Sequence, residues 1–283
     1  MVRYLVTGAS GMLGRDIVRA LGDRCVTALS HSLIDITDSH QVADAVHGHD
    51  VVINCAAYTA VDLAESHENE AYAVNAIGTA NLARAAAATR ALFVQPSTDY
   101  VFDGKGTSPY RETDTTRPLS AYGRTKEAGE KLARAEHPDG TYIVRTAWVY
   151  GEHGRNFART MLALAAQGQP WTVVNDQVGQ PTLAADLAAQ LVALVDARPA
   201  PGIYHATNTG ETTWYDFGRA VLAAHGADPE LISPASTDAS ARPAPRPHYS
   251  VLSHGAWLAA GLPAARSWQA AIEDAAARGI LAQ

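Results

Sequence analysis

Near the N-terminus a short apolar run, Arg3–Thr7, breaks directly into Thr7-Gly8-Ala9-Ser10-Gly11-Met12-Leu13-Gly14. A strand that ends here must turn sharply into a helix, and Gly8 suits the turn because glycine tolerates a positive φ. Gly11 lets the backbone approach a pyrophosphate, and Gly14 lets the helix pack closely on the sheet. The spacing is G-x-x-G-x-x-G, a variant of the dinucleotide fingerprint, and it sets a phosphate at the positive end of the helix.

The strand-then-helix rhythm continues for half the chain. Cys25–Leu29, Val51–Cys55, Leu92–Pro96 and Tyr142–Arg145 read as strands. Met12–Leu21, an alanine-rich Glu68–Ala88 and Ala121–Glu136 read as helices. This succession predicts an α/β, Rossmann-type doubly wound parallel sheet over residues 1–150. A smaller C-terminal α/β lobe, mainly for substrate, is expected over residues 151–283, with part of the 175–215 region returning to the sheet. Its helices are expected at Asn156–Gln167, Ala184–Ala197, Trp214–His225 and Ser267–Arg278, and its strands near Trp171–Val174 and Gly202–His205. The Pro-, Ala- and Ser-rich stretch Ser233–Pro247 reads as loop.

Composition narrows the function. A chain of 283 residues with 47% apolar content can bury a sizeable core, and a net charge of −7 argues against nucleic-acid or membrane-surface partners. No apolar run is long enough to span a bilayer, and the start does not read as a signal peptide. Cys25 and Cys55 lack disulfide-framework or metal spacing and, lying in strand patterns, are expected to be buried thiols. A reducing cytoplasm is the expected location. The histidines show no zinc pattern, so no metal is expected.

The second informative set is Thr98, Tyr122 and Lys126. Residues i and i+4 share a helix face, so Tyr122 and Lys126 present a phenol and an ammonium to one space. A nearby ammonium is expected to lower the phenol's pKa, which suits proton delivery to a carbonyl oxygen as hydride arrives at carbon. Thr98 follows an apolar strand, at the carboxyl end where open α/β sheets bind ligands, and its hydroxyl can hold the same oxygen. This is the equipment of a nicotinamide-dependent carbonyl reductase. The second strand ends in Leu29-Ser30-His31-Ser32, without the acid that usually holds the adenosine ribose. Ser30, Ser32 and Arg15 can receive a 2′-phosphate there, which favours NADPH, with NADH still possible.

These segments resemble the extended short-chain dehydrogenase/reductases, and within them the dTDP-4-dehydrorhamnose reductase family. The resemblance also rests on Asn54–Glu65 with its Ala-Tyr-Thr-Ala-Val-Asp run, Val74-Asn75-Ala76, Ser97-Thr98-Asp99-Tyr100-Val101-Phe102-Asp103-Gly104, Arg145–Gly151, Asn156-Phe157, Asp176–Thr182 and Arg246-Pro247. It covers nearly the whole chain. It implies a nicotinamide cofactor and a nucleotide-linked 4-keto-6-deoxysugar substrate, most simply dTDP-4-dehydro-L-rhamnose, with Thr98, Tyr122 and Lys126 catalytic. Gly8, Gly11, Met12, Leu13 and Gly14, with Ser30, Asp35, Ile36, Ala56, Ala57 and Tyr58, are implied to line the cofactor, and Tyr122 and Lys126 to reach it. Thr98, Asp99, Tyr100, Trp148, Asn156, Gln177 and Arg246 are implied on the substrate side, Arg246 at the diphosphate, since a fork of donors suits phosphate oxygens. Some members dimerise through a magnesium site of glutamates; here Asp16 stands at one such place, and a monomer or a homodimer is expected.

Plainer readings compete. Asp99 can be a local hydrogen-bond acceptor, since Tyr100 interrupts the Thr-Asp-Glu run of related dehydratases. Trp148 can be a core aromatic, Trp171 reads as one, and Arg246 can pair with a carboxylate. The methionine adenosyltransferase regulatory subunit resembles the same reductases, so a non-catalytic cofactor-binding subunit is the alternative from another class. A deoxysugar epimerase or 4-ketoreductase of natural-product biosynthesis is the alternative among enzymes. The intact Thr98, Tyr122 and Lys126 set favours an enzyme.

Overall fold

The computed structural model describes residues 1–239 and 242–281. Six strands form the central sheet: β1 (Arg3–Thr7), β2 (Cys25–Leu29), β3 (Val51–Asn54), β4 (Leu92–Thr98), β5 (Thr141–Thr146) and β6 (Gly202–His205), in the order β6-β5-β4-β3-β1-β2. Every pair is parallel. The order reverses between β1 and β3, the switch point at which such sheets take ligands at their carboxyl edge.

The strands alternate their side chains between two buried faces, as period-two geometry requires. Tyr4, Val6, Val51, Ile53, Val94 and Val144 pack with Ile17 and Leu21 of helix α1 (Met12–Leu21) and with Leu187 and Leu191 of a later helix, Ala184–Ala197. Leu5, Val52, Phe93 and Ile143 face the other way. They meet Val42 and Val46 of α2 (Ser39–Val46), Leu82 and Ala86 of α3 (Thr79–Thr89) and Ala133 of α4 (Ala121–Glu136). The chain therefore comes back to the sheet twice after residue 150, once as Ala184–Ala197 on α1 and once as β6 on β5.

The lobe has its own core of Tyr150, Met161, Phe217, Trp268 and Ile272, between helices Phe157–Ala165, Trp214–Ala224 and Trp268–Ala277. A two-stranded parallel sheet, Trp171–Val174 with Ile232–Ala235, closes it. No helix among the described residues is long and apolar enough to cross a membrane.

Several expectations change. The Glu68–Ala88 helix is α-helical at Glu68–Tyr72, opens into a π-helix at Ala73–Gly78 and resumes as α3. Stretch Ser233–Pro247 is not all loop: its start pairs as strand and Thr237–Ala239 is a 3₁₀ turn, while residues 240–241 lie outside the described residues. Pro234 is tolerated because the strand has a partner on one side only. Cys25 is exposed rather than buried, because β2 is the sheet edge. Cys55 falls one residue past β3 and is half-buried; burial pushes its thiol up to about 12.

Candidate active site

The glycine turn is shaped by close approach. Gly8 has φ +64, and a Cβ there would stand 2.4 Å from the backbone N of Ala56. A Cβ on Gly14 would stand 2.3 Å from the Gly8 carbonyl, so any side chain would lift α1 off the turn. No side chain caps α1 and its first turn holds no acid. Its first N–H groups therefore point at an anion site beside Gly11, which is exposed. This cradle fits a dinucleotide pyrophosphate.

At the end of β2, Ser30 Oγ lies 2.8 Å from Ser32 Oγ. The Asp35 carboxylate accepts from Thr37 N at 2.9 Å and Thr37 Oγ1 at 2.8 Å, and these bonds hold it below the usual carboxylate range. Ile36 is buried beneath Gly78 of the π-helix rather than presented at a surface. This end thus offers two hydroxyls, which suit a 2′-phosphate.

Beyond β3, Ala56, Ala57 and Tyr58 run half-buried along the carboxyl edge. Asn75 fixes them. Its Oδ1 accepts from Tyr58 N at 2.8 Å, and its Nδ2 donates to Tyr58 O at 3.0 Å and to Thr125 Oγ1 on α4 at 3.1 Å. One buried amide therefore ties the cofactor side to the helix that bears Tyr122.

Helix α4 begins at a Ser120 cap, whose Oγ accepts from Gly123 N at 3.1 Å. The cap starts the helix so that Tyr122 faces the end of β4. Lys126, one turn on, is buried, and its Nζ donates to Pro96 O at 2.8 Å. Burial drives its pKa down from 10.5 to about 8, against the pull of Glu130 and Cys55. Thr98, also buried, ends β4 and caps the 3₁₀ turn Asp99–Val101; its Oγ1 accepts from Tyr100 N at 3.1 Å and donates to Asp99 Oδ1 at 3.0 Å. Asp99 is fully enclosed, and burial raises it to about 6, opposed by bonds from Ser250 and Thr98.

Tyr122 contradicts one expectation. Its phenol lies above its ordinary pKa, not below it: burial dominates, Asp99 and Tyr100 add to the rise, and Thr98 works the other way. Lys126 donates to Pro96 O and is not among the groups that act on the phenol, whose burial sets the direction of its shift. The Tyr100 ring meets the Tyr122 ring edge to face, centroids 5.7 Å apart, and burial lifts the Tyr100 phenol to about 12.

Tyr100 opens onto a cavity of about 810 Å³ between sheet edge and lobe. Phe157, Trp171, Trp214, Gln177, Arg242 and Arg246 share its lining. Gln177 is buried, and its Nε2 donates to Thr237 Oγ1 at 2.9 Å. Arg246 is bound by Asp62 on the far side, across a span of 184 positions. Trp148 does not line the cavity; it stands behind Trp214, ring planes 9° apart at 3.6 Å, on a backbone of φ +47 that few non-glycine residues adopt. Asn156 is also displaced from its expected role. Its Oδ1 accepts from Arg159 N at 3.1 Å and its Nδ2 donates to Gly151 O at 2.9 Å, so both ends of the amide serve the cap of Phe157–Ala165. Trp171 packs half-buried against the lobe core, as read, and also lines the cavity. Trp214 and Arg242 were not legible as site residues: a tryptophan at a helix start and an arginine in a proline-rich stretch carry no spacing signal. Asp16 is buried beside Arg19, and no cluster of three metal-ligating side chains occurs among the described residues.

A Rossmann-type sheet whose carboxyl edge gathers a strand-end threonine and a Tyr-x-x-x-Lys helix defines a short-chain dehydrogenase/reductase. The comparison with known families is more specific. Residues 2–280 match the family model described as RmlD substrate binding domain. The chain is 51% identical over 280 residues to the dTDP-4-dehydrorhamnose reductase of Streptomyces griseus, covering 96% of this chain and 92% of that one. It is 46% identical to the dTDP-4-keto-6-deoxy-D-glucose reductase of Streptomyces niveus, with 96% of each covered. Among solved structures, the dTDP-4-dehydrorhamnose reductase of Bacillus anthracis in complex with NADP superposes with a TM-score of 0.93 at 35% identity, covering 97% of this chain and 98% of that one. The chain belongs to the dTDP-4-dehydrorhamnose reductase family.

Proposed function

We propose that this protein reduces the C4 ketone of dTDP-4-dehydro-L-rhamnose to give dTDP-L-rhamnose, using NADPH. The observation that carries the reading is the junction of two spaces. Thr98, Tyr100 and Tyr122 gather at the carboxyl edge of the sheet, and Tyr100 opens onto a cavity with aromatic walls and two arginines. Aromatic surfaces suit a base and a sugar ring, and arginines suit a diphosphate. The Gly8–Gly14 turn and the uncapped start of α1 would hold the pyrophosphate, Ser30 and Ser32 the 2′-phosphate, and Ala56, Ala57, Tyr58 and Lys126 the nicotinamide end. A reduced nicotinamide held there supplies hydride to carbon 4.

The chain supplies the rest. Because burial holds the Tyr122 phenol above its usual pKa, it carries its proton throughout the neutral range and donates it as charge develops on the ketone oxygen. Thr98 Oγ1 orients that oxygen. Lys126, charged below about pH 8, offsets the phenolate that proton transfer leaves. Gln177, Trp214 and Arg246 hold the nucleotide side of the substrate. Both reactants are metabolites of the cytoplasm, which supports a cytoplasmic site of action.

A second reading keeps the reaction and changes the sugar. The Streptomyces niveus relative is named for dTDP-4-keto-6-deoxy-D-glucose. Loss of NADPH absorbance, followed with each ketosugar in turn, tests both. The expected outcome is oxidation dependent on dTDP-4-dehydro-L-rhamnose, with dTDP-L-rhamnose as product. Tyr122→Phe should lower that rate by about 10² or more, the usual share of a positioned general acid, with NADPH binding retained. Turnover with the second sugar alone would move the assignment to it, and an undiminished Tyr122→Phe would refute the proton donor.

A further inference from the structure

Asp62 lies in the short helix Val61–Ala64, four positions past Tyr58, and no role follows for it from the dinucleotide fold. Its carboxylate grips Arg246 end-on: Nη1 donates to Oδ1 at 2.5 Å and Nη2 to Oδ2 at 3.0 Å. The backbone of the arginine's own strap joins the same knot. Ala244 N donates to Asp62 Oδ1 at 3.3 Å, and Arg246 Nη1 donates also to Ala244 O at 2.6 Å. The guanidinium side chain is only 12% exposed, so it has little room to swing.

A guanidinium carries five N–H bonds in one plane. Asp62 and Ala244 engage both hydrogens of Nη1 and one of Nη2. The two left over, on Nε and Nη2, lie side by side along the other edge; beyond this knot the guanidinium lies within hydrogen-bonding reach of the Tyr100 hydroxyl, itself on the cavity wall. That edge has the spacing of a two-point phosphate clamp, and Arg246 borders the cavity next to Tyr100. The other end of the same short helix steadies α4: Glu65 Oε1 accepts from Ala121 N at 2.8 Å, one residue before Tyr122. The segment thus fixes an arginine at one end and the start of the Tyr122 helix at the other.

We infer that Asp62 is a positioning residue for the substrate diphosphate, holding Arg246 by its end so that its remaining edge faces the phosphate. The inference rests on the nucleotide-sugar reading above. Asp62 touches neither the substrate nor the reacting atoms. It sets the plane of the group that does touch the diphosphate, so its removal acts on binding more than on the chemical step.

The test compares dTDP with thymidine, which shares the base and sugar but lacks the phosphates. Calorimetric affinities are measured for the NADP⁺-saturated wild type, Asp62→Asn and Asp62→Glu, alongside KM and kcat. In Asp62→Asn the Kd for dTDP should rise about tenfold or more, the loss expected when a charge-assisted fork is misaligned. Thymidine affinity should stay unchanged, KM should rise with dTDP, and kcat should hold. Asp62→Glu, which keeps the charge with a longer reach, should fall between. Unchanged or tighter dTDP binding in Asp62→Asn would overturn the inference, as would equal weakening toward dTDP and thymidine, which marks a packing defect. A wild type that binds thymidine as tightly as dTDP would overturn the nucleotide-sugar reading itself, and the inference with it.

Discussion

Lys126 is charged and buried among the proposed catalytic groups, and the size of its penalty can be weighed. Folded, its pKa is about 8 against an ordinary 10.5, and the cause is burial. Between those values the unfolded chain binds the extra proton, so stability rises with pH across that window, and the full penalty is present below pH 8. A separation of this size corresponds to about 3 kcal/mol. Lys126→Met removes the penalty but strands the Pro96 carbonyl, which costs about 1–3 kcal/mol. The two effects nearly offset. Lys126→Met should therefore melt within a few degrees of wild type at neutral pH while turnover falls by about 10² or more. Thermal unfolding and NADPH oxidation on one preparation check this; a large fall in Tm would assign the lysine to structure. At this scale the spacing of Tyr122 and Lys126 was legible in sequence, but the direction of the phenol's shift was not. Helix geometry puts the two side chains on one face, whereas the shift depends on burial and on Asp99 and Tyr100, which only the fold brings near. For Asn156 the cap reading was available, since asparagine ahead of an apolar helical run is a favoured N-cap.

Among the elements, the π-helix Ala73–Gly78 shows how one contact reshapes a helix. A Cβ on Gly129 of α4 would stand 2.1 Å from the Asn75 carbonyl, so the two backbones meet there without an intervening side chain. The widened turn carries Asn75 at that closest point, where its amide holds both Tyr58 and Thr125. Gly129→Ala must push α4 away, and the strain expected from one methyl forced into such a contact is about 1–3 kcal/mol. Because α4 also carries Tyr122 and Lys126, turnover should fall with stability. Denaturant unfolding and steady-state rates measured together decide it; an alanine variant of wild-type stability would show that the contact can relax. An alanine-rich run whose one break is Gly78 gives little sign of the π turn, and the close contact it makes lies more than fifty residues away, on another helix. Strands β1 and β2 and helices α1 and α4 were legible to the residue, because their ends are set locally: by glycine, by Ser120, by a switch of apolar period.

Across the molecule, the cavity is built from both parts of the chain. Tyr100 comes from the sheet edge, Trp171, Gln177 and Trp214 from the lobe, and Arg246 is tied back to Asp62 near the start of the chain. No pattern in the sequence joins Asp62 to Arg246; only the closed fold does. The two parts are also stitched by Val149–Tyr150 pairing with Thr182–Leu183, whose Leu183 N donates to Asn208 Oδ1 at 2.9 Å. A ligand that touches both walls should therefore stabilise the chain as one unit. At one hundred times its Kd, dTDP adds about 2.7 kcal/mol of stability to the form that binds it. For a chain of 283 residues that raises the melting midpoint by roughly 4–5 °C. NADP⁺, on its proposed seat at the Gly8–Gly14 turn, should add its own increment. Because Tyr58, on the proposed cofactor side, and Asp62, on the proposed substrate side, belong to one short stretch, the pair together should raise the midpoint by more than the sum of the two alone. Calorimetric scans with each ligand and with both decide between the cases. One transition that moves as a whole, with a joint shift above additivity, is the expected result. If dTDP moved only one of two separated transitions, its site would belong to one part alone; strict additivity would show that the Tyr58–Asp62 stretch does not couple the sites.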